Sequence, residues 1–163
     1  LAVLSASEPG RLARQLRAGG DLIVRVEPAS ADERPLRYQL AIPPSAAALD
    51  QVLSACGELL SDNWDLLPRL GRDQAVTWAR GPRPEFPGAA IHANSRYGTV
   101  LIGCLVPADG RLRDCRVLSE TLPGVGFGEN ALSAALRSRV AVPENDESAV
   151  GKVLRFTIRF QMP

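Results

Sequence analysis

The segment Gly81-Pro82-Arg83-Pro84 constrains this chain more than any other feature. Each proline fixes φ near −65° and lacks an amide donor, and each pushes the preceding residue out of the helical region. Neither a helix nor an interior strand can run through such a segment, so it predicts a domain boundary at residues 82/83. The 163-residue chain is thereby divided into 1–82 and 83–163, two parts each large enough for a small domain. Hydrophobic residues make up 45% and charged residues 23%, a balance that supports a packed core.

Within 1–82, Ser7 is placed to cap a helix over 8–18, with Leu12 and Leu16 inward and Gly19-Gly20 as its stop. Residues 21–27 set Leu22, Val24 and Val26 against Ile23 and Arg25, and residues 36–42 set Leu36, Tyr38, Leu40 and Ile42 against Arg37 and Gln39. Period-two alternation of this kind predicts two strands. After Pro43-Pro44, a helix capped by Ser45 carries Leu49, Val52, Leu53, Cys56, Leu59 and Leu60 on one stripe, which predicts that they are buried. A third short strand is expected within 73–80, through Val76 and Trp78.

Past the boundary, residues 87–96 predict a short helix that carries the lone histidine, His92, on its surface. Residues 98–106 predict a buried strand with Val100, Ile102, Cys104 and Val106 on one face, and 112–118 its partner. Asp109-Gly110 marks the hairpin between them, because the turn needs a positive φ that glycine adopts without strain. A helix over 126–139 turns Phe127, Ala131, Leu132, Ala135 and Leu136 inward, and 150–161 closes the chain with a strand through Val153, Phe156, Ile158 and Phe160. Both halves read helix, strand, strand, helix, strand, which suggests two small α+β domains related in tandem.

An ordered set of short motifs covers the second half: Pro84-Glu85-Phe86-Pro87, Gly98-Thr99-Val100, Asp109-Gly110-Arg111-Leu112, Val117-Leu118-Ser119, Phe127 with Ala131-Leu132, Pro143, and Phe156-Thr157-Ile158-Arg159-Phe160. This set resembles the TonB C-terminal domain family over about half the chain. The resemblance implies an α+β domain of a three-stranded antiparallel sheet with two helices, sited in the periplasm. It also implies capture of an extended segment of an outer-membrane transporter or other envelope protein along the edge of the last strand. The partner-binding residues expected from it are Lys152, Val153, Arg155, Thr157 and Arg159 on that strand, with Arg83, Glu85 and Phe86 in the preceding loop. An exposed strand edge offers unpaired N–H and C=O groups that an extended peptide can satisfy, so the mechanism is also physically sound. Cys104 and Ser138 stand where the family favours larger side chains, and 1–82 has no counterpart in TonB itself. A structural or assembly protein of the envelope, whose domain pairs with itself as a homodimer or with a complex subunit, is the alternative reading.

Other classes of function find little support in the residues. Net charge is +1 and neither half is strongly basic, which argues against nucleic acid as a partner. The longest apolar run, 97–106, is far short of the ~20 residues that span a bilayer. Residues 1–7 show no signal-peptide pattern, so an anchor or signal is expected upstream. With one histidine, three cysteines lacking CxxC spacing and no phosphate-binding loop, no catalytic site, metal or cofactor is expected. Counting outward from Asp109-Gly110 sets Cys104 opposite Cys115. A longer turn pairing Val106 with Leu112 gives the same contact if a residue bulges near Arg113 or Asp114. Cα atoms at such a pair lie within reach of a disulfide, which an oxidising periplasm would close; the alternative is two reduced core cysteines. Cys56 is expected to remain unpaired and buried.

Overall fold

The computed structural model describes residues 6, 8–26, 34–71, 76–144 and 146–162. The chain divides into two compact units, Leu1–Asp65 and Leu66–Pro163. The division therefore falls well before the expected 82/83. Residues 68–71 and 76–80 are already committed to the second unit: Val153 N–H donates to Pro68 O (2.7 Å), Leu70 N–H donates to Val153 O (3.0 Å), and Trp78 stacks edge-on against Phe156 at 5.1 Å. The proline segment does interrupt regular structure, since 81–87 holds neither helix nor strand.

The first unit contains α1 (Pro9–Leu16), β1 (Gly20–Val26), β2 (Leu36–Ile42) and α2 (Ala46–Ala55), followed by a 3-10 turn over Asn63–Leu66. The expected Ser7 cap lies outside the described residues. Pro9 opens α1, where its missing amide costs no helical bond. β1 and β2 pair antiparallel with Leu22 opposite Leu40, Val24 opposite Tyr38 and Val26 opposite Leu36, as alternation requires. The expected stripe on α2 does not hold: Leu53 is buried, whereas Val52, Leu59 and Leu60 are exposed, and Cys56 is a free, exposed thiol. Gly57 at φ +72° ends the helix just beyond Cys56, which takes Leu59 and Leu60 off the stripe. Arginines on α1 hold this unit together instead. Arg14 Nε donates to Asp65 Oδ2 at 2.6 Å and its Nη1 reaches Glu58 and the Leu59 carbonyl, while Arg17 binds Asp50 and the Leu60 carbonyl.

In the second unit, β4 (Tyr97–Leu105) lies between β5 (Arg113–Glu120) and β7 (Val153–Gln161) in an antiparallel sheet ordered β5-β4-β7. Helices α3 (Gly88–His92) and α4 (Phe127–Leu136) complete the α+β architecture, and β3 (Trp78–Arg80) pairs with β6 (Arg139–Val140) in a separate two-stranded sheet. This third strand of the first half thus belongs to the second unit, so the tandem repeat is not formed; residues 72–75 lie outside the described residues.

Val100, Ile102, Cys104 and Val106 are all fully buried, and they meet Phe127, Ala131, Ala134, Ala135, Ile158 and Phe160 in one core. Gly98 lets the Phe127 ring lie against β4, since a Cβ there would sit 2.6 Å from that ring. The Asp109-Gly110 turn is wider than a two-residue hairpin. Gly110 N–H donates to Pro107 O, Gly110 O accepts from Val140 N–H at 2.8 Å, and Leu112 N–H donates to Ser138 O, so the connection pairs with the β6 segment before β5 begins.

Candidate functional site

The face and the edge of β7 follow from two alternations. Leu154, Ile158 and Phe160 are buried and Phe156 is half-buried, while Thr157, Arg159 and Gln161 are exposed. Leu154, Phe156, Ile158 and Phe160 lie opposite Cys104, Ile102, Val100 and Gly98 of β4. Lys152 O accepts from Val106 N–H and Met162 N–H donates to Arg96 O, so even-numbered residues of β7 direct their peptide groups toward β4. Odd-numbered residues direct theirs away from it. Val153 demonstrates this, since both its N–H and its C=O bond to the 68–70 segment.

The remaining odd positions define the edge. Thr157, Arg159 and Gln161 point their peptide groups outward and have no strand partner on that side among the described residues. Arg155 is half-buried and Lys152 precedes the strand. Val153 is fully buried, with its outward groups already bonded. In the loop, Arg83 and Glu85 are exposed, and Phe86 packs edge-on against Phe127 with ring centres 5.6 Å apart. The structure thus brings Thr157 and Arg159 to one open edge, while Phe86 is anchored on the core. Gln161 completes the outward set, a position that period two in 150–161 could have supplied. Pairing of residues 68–70 with Val153 had no signal in the sequence, where that stretch reads as irregular.

Cys104 and Cys115 form a disulfide with Cα atoms 4.1 Å apart. Leu105 pairs with Arg113 and Gly103 with Arg116, which leaves Asp114, at φ 47°, as the extra residue that returns Cys115 to Cys104. Of the two registers expected, the longer turn with a bulge near Asp114 is the one observed; a second register shift, between Leu101 and Ile102, was not expected. His92 is exposed on α3. Among the described residues, no helix is long and apolar enough to cross a membrane, and no group of three or more His, Cys, Asp or Glu side chains is arranged to hold a metal ion.

Among solved structures, the chain is similar to the solution NMR structure of the Pseudomonas aeruginosa TonB CTD, with 23% identity and a TM-score of 0.44 over 56% of this chain and 90% of that chain. No family model and no curated protein matches the chain.

Proposed function

We propose that the second unit is a periplasmic protein-binding module that captures an extended segment of an envelope partner by strand addition to β7, as in a TonB-like energy transducer. The observation that carries this reading is the row of outward peptide groups at Thr157, Arg159 and Gln161 on a strand whose opposite side is fully paired with β4. Main-chain bonds along such an edge supply affinity, and alternate side chains supply selectivity. Lys152, Arg155 and Arg159 favour a partner with acidic flanks, and Arg83 and Glu85 of the loop are proposed as further contacts. The family resemblance of the 84–160 motifs supports the same edge. The disulfide fits an oxidising compartment.

Thr157→Pro tests strand addition, because the amide it removes points away from β4 and the sheet loses no bond of its own. A photo-crosslinking residue at Arg159 in the native envelope is expected to yield an adduct with one partner segment. Thr157→Pro abolishes that adduct and Thr157→Ala preserves it. An adduct that survives Thr157→Pro in a folded protein sinks strand addition at this edge. The same open edge supports the alternative, self-pairing in an envelope assembly; sedimentation showing a dimer that Thr157→Pro dissociates would favour it.

A further inference from the structure

Arg80, Arg111, Arg137 and Arg139 line a single cleft of about 530 Å3 that has Leu136 and Ser138 in its wall and no carboxylate among its lining residues. Three of the four form a row across strands. Arg80 on β3 stands opposite Arg139 on β6, and Arg139 stands opposite Arg111 across an isolated antiparallel bridge. Side chains so opposed have Cβ atoms about 5 Å apart, a spacing at which like charges destabilise the pairing. Arg137, at the end of α4, adds the fourth guanidinium.

The row is oriented but not neutralised. Arg139 Nε donates to the Asp109 carbonyl at 2.9 Å, and Arg137 donates to Ser133 Oγ. None of the four is in an ion pair among the described residues. The carboxylate of Asp109 is engaged by the Arg111 backbone N–H and by the Arg113 side chain, each at 3.0 Å, and acts on the Arg111 charge only through a weaker Coulombic attraction. The C-terminus of α4 contributes a partial charge of about −0.5, a small fraction of what four guanidiniums present. Opposed arginines do not by themselves make a site, as Arg25 opposite Arg37 on the β1–β2 ribbon illustrates. What distinguishes the cleft is convergence of four such groups on one concavity from three strand segments and a helix end.

We propose that this cleft binds a compact polyanion, a diphosphate or a closely spaced pair of phosphate groups. Guanidinium forks grip phosphate oxygens through two parallel N–H bonds each. Three strand positions about 4.8 Å apart set the row across about 10 Å, the scale of two adjoining phosphates. Ala79, Leu136 and Ser138 form the rest of the wall. Soluble diphosphates and phosphate-bearing lipid head groups share this chemistry. The site does not depend on capture at β7.

Calorimetric titration of the whole chain with inorganic diphosphate at low salt tests the assignment. Two double variants accompany it: Arg80→Gln with Arg139→Gln in the cleft, and Arg25→Gln with Arg37→Gln as a control of equal charge change. Binding to the cleft variant is expected to be at least about tenfold weaker, and binding to the control unchanged. Co-sedimentation with neutral-lipid vesicles carrying phosphatidic acid identifies the source. Vesicle binding that the cleft variant loses, without a diphosphate signal, assigns a lipid head group; diphosphate binding alone assigns a soluble ligand. If the cleft double variant does not fold, Arg111→Gln replaces it, with a loss of about threefold or more expected. Failure of the natural chain to bind either probe would overturn the proposal. So would equal weakening in both double variants, or tighter binding of a polyglutamate peptide with the same dependence on the cleft arginines.

Discussion

In Leu66–Pro163 a continuous apolar core runs from Leu70 through β4 and α4 to Phe160, whereas in Leu1–Asp65 Leu53 and Trp64 are the buried hydrophobic residues among those described. The first unit joins its elements through arginine and carboxylate side chains, notably Arg14 with Asp65 and Glu58 and Arg17 with Asp50. Apolar burial stabilises without regard to direction or salt, while ion pairs depend on geometry, on both partners and on screening. The two units are therefore expected to respond to different insults. Heat and cavity formation should act on the second, and salt or the loss of one charged partner on the first.

Phe127→Ala should give the largest effect and would break the comparison if it did not. Phe127 is fully buried and touches the rings of Phe86 and Phe160, so its removal is expected to cost about 4 kcal/mol, read as a lowered denaturation midpoint of the second unit. A loss confined to the first unit would invert the assignment of cores. Replacing Cys104 and Cys115 together by serine should cost about 3 kcal/mol, since the bond closes a loop of sequence separation 11; equal stability of oxidised and reduced chains would show that this constraint is idle.

Asp65→Asn sharpens the contrast from the other side. Arg14 and Asp65 are largely buried, and the Asp65 hydrogen bond is the leading cause of the raised Arg14 pKa. The substitution is expected to destabilise the first unit by about 2 kcal/mol and to reduce its sensitivity to salt, measured by chemical unfolding at two ionic strengths. The smallest effect concerns Asp109, whose carboxyl is held below its ordinary value of 3.8 by the Arg111 backbone N–H and then by Arg113. A depressed folded-state pKa contributes stability that is full above 3.8 and is lost as pH falls through the lower folded value. Asp109→Asn should flatten that part of the acid limb and leave neutral stability almost unchanged.

The parts of the fold legible in the sequence were those written in short-range pattern. Val100, Ile102, Cys104 and Val106 alternate cleanly and are buried as alternation demands; β1 and β2 lie within a residue of the expected spans, and β7 ends at Gln161 as expected but begins at Val153, three residues late. Register carried the Cys104–Cys115 bond because turn and bulge sit within one hairpin. Long-range pairing left no such trace. Pro68, Leu70 and Trp78 join the second unit through backbone pairing with Val153 and Val140, which side-chain pattern does not encode. At its far end the stripe on α2 misled because Leu59 and Leu60, beyond Gly57, kept helical spacing after the helix had ended. At the candidate edge, Thr157 and Arg159 were readable from period two, and the obstruction at Val153 was not.

That obstruction limits what the edge can read. With Pro68 and Leu70 already bonded to Val153, the chain has a built-in stop at the head of β7, and the strand ends at Gln161. A guest strand pairing from Thr157 to Gln161 has a track of about 17 Å, at roughly 3.4 Å per residue. Sliding toward the head of β7 meets the host's own backbone at Val153, and sliding the other way runs off the ladder. The edge would thus act as a gauge as well as a template, reading a short motif of bounded length rather than any extended chain that happens to pass.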